Sequence, residues 1–312
     1  MNNEVFITGR EGFVGLCLDK ELKKHGYQTS GTSLHEYPNG EAENIFQCDI
    51  TDSEQIKKII SARQPQYIFH LAALANPRDA IKNPELALKI NVEGTRNLFE
   101  AVRSISDYRP RIVVVGSSEE FGVIPVGITV TEEAPLSPAN IYAETKLLAW
   151  KLAKEYINKY NFDIVSALPF NHTGPGQLPG MIGPDVASQI VAIERGLKEP
   201  ILITGNVSHK RNFSDVRDVV WAYRLLMELG NTGERYVICA DNSVSLSYLV
   251  DTLIGFSSIK IEHQIDPSRA RPSDIADISA SHAKITRELG WSPEIPIEKT
   301  LQDLLDWYRA KL

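Results

Sequence analysis

Strands alternating with helices, a glycine-spaced turn directly after the first strand and a change of texture after Pro169 predict an α/β fold. Alternation of this kind builds a parallel sheet covered by helices on both faces. The expected architecture is a Rossmann-type doubly wound parallel sheet with a smaller α+β C-terminal lobe. The boundary is expected at residue 168, giving units 1–168 and 169–312 with some intermixing of chain.

The apolar run 5–8 stops at Gly9, and 13–24 reads as a helix whose Phe13, Val14, Leu16, Cys17, Leu18 and Leu22 supply a buried side. Further strands are expected at 27–32 and 44–48, then a helix capped near Asp52 and a strand at 67–71. A long helix over about 85–104 precedes the most apolar strand, 111–116. A helix over about 140–160 precedes the strand 163–168. Residues 174–184 then hold four glycines and three prolines, so 171–184 is expected to be a long loop over the carboxyl edge of the sheet, where ligands bind. Helices near 186–196, 216–229, 247–255 and 300–311 and short strands near 201–204 and 260–264 complete the lobe.

Composition removes several classes. The chain has 312 residues, 43% hydrophobic and 23% charged, with a formal charge of −7. Its longest aliphatic run, 112–115, is far below the ~20 residues that cross a bilayer, so no membrane association is expected. The opening Met1-Asn2-Asn3-Glu4 lacks the basic flank and apolar stretch of a secretion signal. Cys17, Cys48 and Cys239 form neither a disulfide framework nor a zinc motif, which points to a reducing cytoplasm. An acidic chain with no Lys/Arg block is a poor partner for nucleic acid. The seven histidines form no ligand pair at helical or strand spacing, so no metal is expected.

Thr8-Gly9-Arg10-Glu11-Gly12-Phe13-Val14-Gly15 spaces Gly9, Gly12 and Gly15 between strand and helix. The first permits a tight turn, the second a close approach of backbone to pyrophosphate, and the third close packing of helix on strand. A plain βα turn has the same appearance in isolation. Asp49 ends the third strand, where a carboxylate takes an adenine amino group or caps a helix. Leu71-Ala72-Ala73 ends the fourth with small residues that let a ribose and pyrophosphate lie close, and His70 beside them reads as a structural contact. The second strand ends in Ser33-Leu34-His35 with no acid for a ribose 2′-hydroxyl, which favours NADPH, with NADH as the alternative, since Ser33 bonds a phosphate without repelling it.

Tyr142 and Lys146 are four apart at a helix start and share a face. A nearby ammonium favours the phenolate of a tyrosine, and Ser117, at the end of the 111–116 strand, is placed to bond a reacting oxygen. The same spacing also occurs in surface pairs.

These features, with Asn91-Val92-x-Gly94-Thr95, occur in the order found in the extended short-chain dehydrogenase/reductase family, which the chain resembles over nearly its whole length. The resemblance implies that Ser117 and Tyr142 bind the substrate's reacting oxygen and that Tyr142 exchanges its proton. Lys146 would hold the nicotinamide ribose and lower the pKa of Tyr142, with Asn91 in support. The implied cofactor contacts are Gly9, Gly12, Phe13, Val14, Gly15, Ser33, Asp49, Ile50, Leu71, Ala72, Ala73, Asn91, Tyr142, Lys146, Pro169 and His172.

Phe170-Asn171-His172-Thr173-Gly174-Pro175-Gly176-Gln177 resembles the signature of the family's GDP-4-keto-6-deoxy-mannose reductase branch. On that likeness Ser118, Glu119, Asn171, Arg211, Arg271 and Asp274 would bind a sugar nucleotide, the arginines on its pyrophosphate and Asp274 on its ribose. Three positions depart from the pattern. Leu34-His35 lacks a basic residue, Leu168 stands where relatives tend to have Arg, and Asn212 replaces an acid beside the added cation Lys210.

The implied reaction is reduction of the C4 ketone of a nucleotide-linked 4-keto-6-deoxy sugar. Glu119 keeps a GDP-sugar 4,6-dehydratase or epimerase as the alternative, because related dehydratases use a glutamate there for elimination. A non-catalytic nicotinamide sensor is a third class, which the presence of Ser117, Tyr142 and Lys146 disfavours. The resemblance also implies a homodimer packed through the 140–160 helix, which carries Leu148, Leu152 and Tyr156 on one side and Ala149, Ala153 and Tyr160 on another.

Overall fold

Successive residues of a strand face opposite sides of its sheet, so a strand apolar throughout needs cover on both. The computed structural model describes residues 3–35, 44–125, 127–269 and 278–311. The first half runs β1 (Glu4–Thr8), α1 (Phe13–Lys24), β2 (Gln28–Ser33), β3 (Ile45–Gln47), α2 (Ser53–Arg63), β4 (Tyr67–His70), α3 (Pro77–Lys82), α4 (Pro84–Leu88), α5 (Gly94–Arg103), β5 (Arg111–Val115) and β6 (Thr129–Val130). Then come α6 (Ile141–Tyr160), β7 (Asp163–Pro169), β8 (Asn171–Thr173), α7 (Ile182–Glu194), β9 (Ile201–Thr204), β10 (Lys210–Asp215), α8 (Val216–Leu229) and β11 (Arg235–Ile238). The chain closes with β12 (Ser243–Ser245), α9 (Leu246–Gly255), β13 (Glu262–Ile265), β14 (Ser279–Ala280), α10 (Ala283–Leu289) and α11 (Ile297–Lys311).

Seven strands form one sheet in the order β11-β7-β5-β4-β1-β2-β3. All of its neighbours run parallel. Val5, Ile7, Phe69, Val113 and Val165 meet Leu18 and Leu22 of α1 and Val219, Tyr223 and Leu226 of α8 on one face. Phe6, Ile68, Ile112 and Ile164 meet Ile56 and Ile60 of α2, Leu98 and Val102 of α5, and Trp150 and Tyr156 of α6 on the other. Strand order reverses between β1 and β4, the place where doubly wound sheets hold ligands. A further core joins Ile190 of α7, Leu249 and Leu253 of α9, and Leu301, Leu304 and Leu305 of α11. Among the described residues no helix is long and apolar enough to cross a membrane.

Several elements differ from expectation. Residues 171–184 are not all loop: 171–173 form β8, paired in parallel with β10, and α7 starts at Ile182. Gly183 and Pro184 fall in the first turn of α7, where a missing N–H costs no helical bond. The helix expected over 85–104 contains a π segment at Lys89–Glu93, with α3 preceding it as a separate turn. The four buried residues of β11 extend the main sheet beside β7, so the sheet draws on chain beyond residue 168.

Trp291 is completely buried against the α8 face, and its indole N–H donates to the Asp218 carbonyl at 3.0 Å. Trp291→Ala is expected to cost about 3–5 kcal/mol, read from the midpoint of urea unfolding.

Candidate active site

The first βα turn is built around its glycines. Gly9 has φ 67°, and a Cβ there would lie 3.0 Å from the Ala72 backbone. A Cβ on Gly15 would lie 2.5 Å from the Arg10 carbonyl oxygen. Gly12 caps α1 with no side-chain hydrogen bond, and no acid lies in the helix's first turn. That helix start therefore presents backbone N–H groups and positive dipole to an anion. Arg10 itself turns inward, donating from Nε and Nη2 to Asp19 Oδ1 at 3.1 and 2.9 Å.

Thr8 ties β1 to the end of β4, its hydroxyl oxygen accepting from the backbone N–H of Leu71 and of Ala72, each at 3.1 Å. His70 bridges Thr8 and Thr95 at 2.9 Å through Nδ1 and Nε2. Thr95 donates its proton to the Asn91 carbonyl, so it accepts from Nε2–H, and Nδ1 accepts from Thr8. Burial, and next the charge of Lys146, push His70 down to about 3. It is a neutral brace. His70, Ala72, Ala73, Asn91 and Lys146 line one small cavity, with Thr95, Val114, Val115 and Ala149.

At the other end of the sheet, Ser33 is buried and its hydroxyl accepts from His35 N–H at 3.0 Å. Asp49 is exposed beyond β3 and accepts from Thr51 N–H at 2.9 Å. Ile50 is covered by Gly94, where a Cβ would come within 2.8 Å of its side chain.

Ser117 follows β5 and caps a single 3-10 turn, Ser118–Phe121. Asn140 caps α6, accepting from Ala143 N–H at 2.9 Å, and its amide donates to Glu119 Oε2 at 2.7 Å. Tyr142 and Lys146 sit on the first turns of α6, both buried, with the Ser117 side chain beside the Tyr142 hydroxyl. Burial raises the phenol above its ordinary value; the Ser117 hydroxyl opposes this, while Glu119 and Glu120 add to it. Burial also lowers Lys146 to about 8, with Glu120 acting in the opposite direction. The lowering of the Tyr142 phenol by Lys146, implied by the resemblance, has no counterpart among the charges acting on it here. Lys146 Nζ instead donates to the Val115 carbonyl at 2.8 Å.

Asn91 lies in the π segment and is buried. Its Oδ1 accepts from Leu74 N–H at 2.7 Å, and its Nδ2 donates to Thr145 Oγ1 at 2.9 Å. It braces α6 one residue before Lys146.

Across the sheet edge, Pro169 ends β7 and Asn171 and His172 lie in β8. The His172 ring stacks on Phe13 at a centroid distance of 6.3 Å, joining this segment to the glycine turn. Arg211 stands on β10, adjacent to β8, two residues before the Phe213 that pairs with Asn171. Its Nη1 donates to the Lys210 carbonyl at 2.8 Å. Arg271 and Asp274 lie outside the described residues. Asn212 is buried and exchanges two 2.7 Å hydrogen bonds with the Ala240 backbone, accepting from its N–H and donating to its carbonyl. An acid could not make the second bond, so this departure from the family pattern serves the junction of strands.

Sequence reasoning overlooked Asn140 as the partner of Glu119, and Glu120 and Arg235 altogether. Ser117-x-x-Glu120 carries the spacing of a capping box, a signal that was available.

A doubly wound sheet with this glycine turn, and with Ser117, Tyr142 and Lys146 at its carboxyl edge, defines an extended short-chain dehydrogenase/reductase. Residues 6–304 match the model of the GDP-mannose 4,6 dehydratase family, and the chain belongs to that family. It is 29% identical to the GDP-6-deoxy-D-mannose reductase of Pseudomonas aeruginosa, covering 98% of each chain. It is 23% identical to the GDP-mannose 4,6-dehydratase of Yersinia enterocolitica, over 99% of this chain and 95% of that one. The structure of RMD from Pseudomonas aeruginosa complexed with NADPH superposes with a TM-score of 0.88 at 27% identity, covering 99% of both chains.

Proposed function

We propose that the chain reduces the C4 ketone of a nucleotide-linked 4-keto-6-deoxy sugar, GDP-4-keto-6-deoxy-mannose or a close analogue, with NADPH as the preferred donor and NADH as the alternative. The observation that carries this reading is Tyr142, a neutral, buried phenol beside Ser117 with Lys146 one turn away. A phenol raised by burial holds its proton at neutral pH and is therefore suited to give it to an oxygen that becomes anionic. The reductase relative and the NADPH-bound neighbour support the same direction.

The glycine cradle fits a pyrophosphate, since a side chain at Gly9 or Gly15 would occupy the space beside the turn's own backbone. Gly9, Gly12, Phe13, Val14 and Gly15 would hold that group. Leu71, Ala72, Ala73 and Asn91 would border it, with Ser33, Asp49 and Ile50 at the adenosine end and Pro169 and His172 at the nicotinamide end. When bound, the nicotinamide supplies the hydride to C4. Ser117 donates a hydrogen bond to the C4 oxygen, and Tyr142 transfers its proton to that oxygen, completing the alcohol. Lys146 supplies positive charge beside the site, and Asn91 fixes the helix turn that carries it. Ser118, Glu119, Asn171, Arg211, Arg271 and Asp274 bind the sugar nucleotide. In this division residues 1–168 serve the cofactor and 169–312 the sugar nucleotide, with α8 and β11 returning to the cofactor sheet.

Dehydration is the second reading, favoured by the family and by Glu119, whose carboxylate is held by Asn140 near Tyr142. Glu119→Gln separates the two. A reductase is expected to keep turnover within about fivefold, whereas a dehydratase that uses Glu119 in elimination is expected to lose about a hundredfold or more.

The working unit in this reading is a cytoplasmic homodimer. Its three described cysteines are free, and Ile81, Leu86, Leu88 and Leu148 leave apolar surface exposed on α3, α4 and α6. Sedimentation at micromolar concentration is expected to give the mass of two chains, and a monomer would reject the dimer.

A further inference from the structure

The Glu120 carboxylate is held at the end of β5. It closes a capping box with Ser117, and its side chain is fully buried, at 0% exposure. Oε1 accepts from the Ser117 backbone N–H at 2.9 Å, and Oε2 accepts from Arg235 Nη2 at 2.5 Å. Arg235 comes from β11, opposite Ser166 of β7, and its guanidinium carbon lies 5.1 Å from the ring centre of Trp150 on α6. Trp150 is one turn beyond Lys146 on the same helix.

Gly116 leaves room for the pair. A Cβ there would lie 2.5 Å from Glu120 Oε1, 2.9 Å from Leu168 Cδ2 and 3.1 Å from Arg235 Nη2. Leu168 therefore borders an internal ion pair whose cation arrives from the neighbouring strand.

Burying two charges brings little net stability, because apolar residues of equal volume often serve as well or better. The pair's position suggests a different use. It touches Ser117 through the backbone and α6 through Trp150, and its carboxylate charge acts on Lys146, whose Nζ bonds the Val115 carbonyl two residues before Ser117.

We propose that Glu120, held by Arg235, is a positioning residue for the reduction: it orients Ser117 through its backbone N–H and supplies the negative charge that keeps Lys146 an ammonium. The chemical consequence rests on the reductase reading, whereas the electrostatic one does not.

The other groups around Lys146 do not provide that charge. His70 on β4 is neutral, lowered to about 3, and Tyr142 on α6 is a neutral phenol. Val115 on β5 contributes only its carbonyl. Glu119 bonds Asn140, while Arg235 is the cationic partner of Glu120 and so cannot favour an ammonium. Burial acts against the charged form of Lys146, and Glu120 is the charge acting for it.

The test is titration of Lys146 in protein carrying ¹³Cε-lysine, its resonance assigned by its loss in Lys146→Met, beside the pH profile of kcat. Glu120→Gln retains an acceptor for Ser117 N–H but removes the charge. It is expected to lower the Lys146 midpoint by about one pH unit and to move the alkaline limb of kcat by the same amount. The KM for the sugar nucleotide is expected to stay within about threefold. Because Glu120→Gln leaves Arg235 buried without its partner, the double variant Glu120→Gln/Arg235→Gln is run in parallel, with a smaller downward shift expected because loss of the Arg235 cation acts in the opposite sense. An unchanged Lys146 midpoint in either folded variant, with kcat reduced equally at every pH, would assign the pair a purely structural role and overturn the proposal. If the wild-type chain reduces no keto sugar, the reductase reading fails while the NMR titration still decides the electrostatic claim.

Discussion

Tyr142→Phe is expected to lower kcat for ketone reduction by about a thousandfold, which corresponds to ~4 kcal/mol of activation free energy. The substitution removes one oxygen from a side chain that is 8% exposed and leaves the aromatic ring that packs beside Ala80 and Ala87. The fold and the cofactor cradle are therefore expected to persist, with NADPH affinity, read by nicotinamide fluorescence, changing by less than about threefold. What disappears is the proton donor. Ser117 can still bond the C4 oxygen, but its hydroxyl would have to surrender a proton with no base positioned to restore it. Near-normal turnover of Tyr142→Phe would remove Tyr142 from the proton transfer.

Lys146→Met is expected to cost about a hundredfold or more in kcat and to abolish the alkaline limb of the pH profile. In the wild-type chain, burial first of all brings Lys146 from 10.5 to about 8. The ammonium is thus present below pH about 8 and lost as the pH rises through it, so turnover that depends on it is full below that value and declines above. Stability moves in the opposite sense. Between pH about 8 and 10.5 the unfolded chain binds a proton that the folded chain has released, so this residue's contribution to stability rises with pH across that window. A protein that becomes somewhat harder to unfold while losing activity over the same pH range is the combined signature. An activity profile flat to pH 10 would contradict the requirement for an ammonium.

How much of this was legible in the sequence depends on whether the information is local. The alternation that sends Val5 and Ile7 to one helical layer and Phe6 to the other lies within β1, and it predicted the layered sheet. The glycine turn and the four-residue interval from Tyr142 to Lys146 are equally local: the first joins β1 to α1, and the second puts two buried side chains on the first turns of α6. Polar β10, Lys-Arg-Asn-Phe-Ser-Asp, was not recognisable as a strand, because it is held by pairing with β8 and β12 rather than by its own apolar pattern. The short β11 was overlooked for a related reason, since its burial exists only once β7 lies beside it. The direction of Lys146 was likewise hidden, because a helix interval specifies a shared face and not which carbonyl a long side chain reaches. Glu120 and Arg235 are 115 residues apart, so their pairing depends on the assembled sheet.

The most direct test of the central claim is incubation of the purified chain with GDP-4-keto-6-deoxy-mannose and NADPH, following nicotinamide absorbance and identifying the product by NMR, with the dTDP-linked keto sugar and NADH as parallel arms. The account predicts stoichiometric NADPH oxidation and a product bearing a C4 hydroxyl, faster with NADPH than with NADH. No oxidation of either cofactor with either keto sugar, or conversion of GDP-mannose to its 4-keto-6-deoxy form without net cofactor consumption, would contradict it.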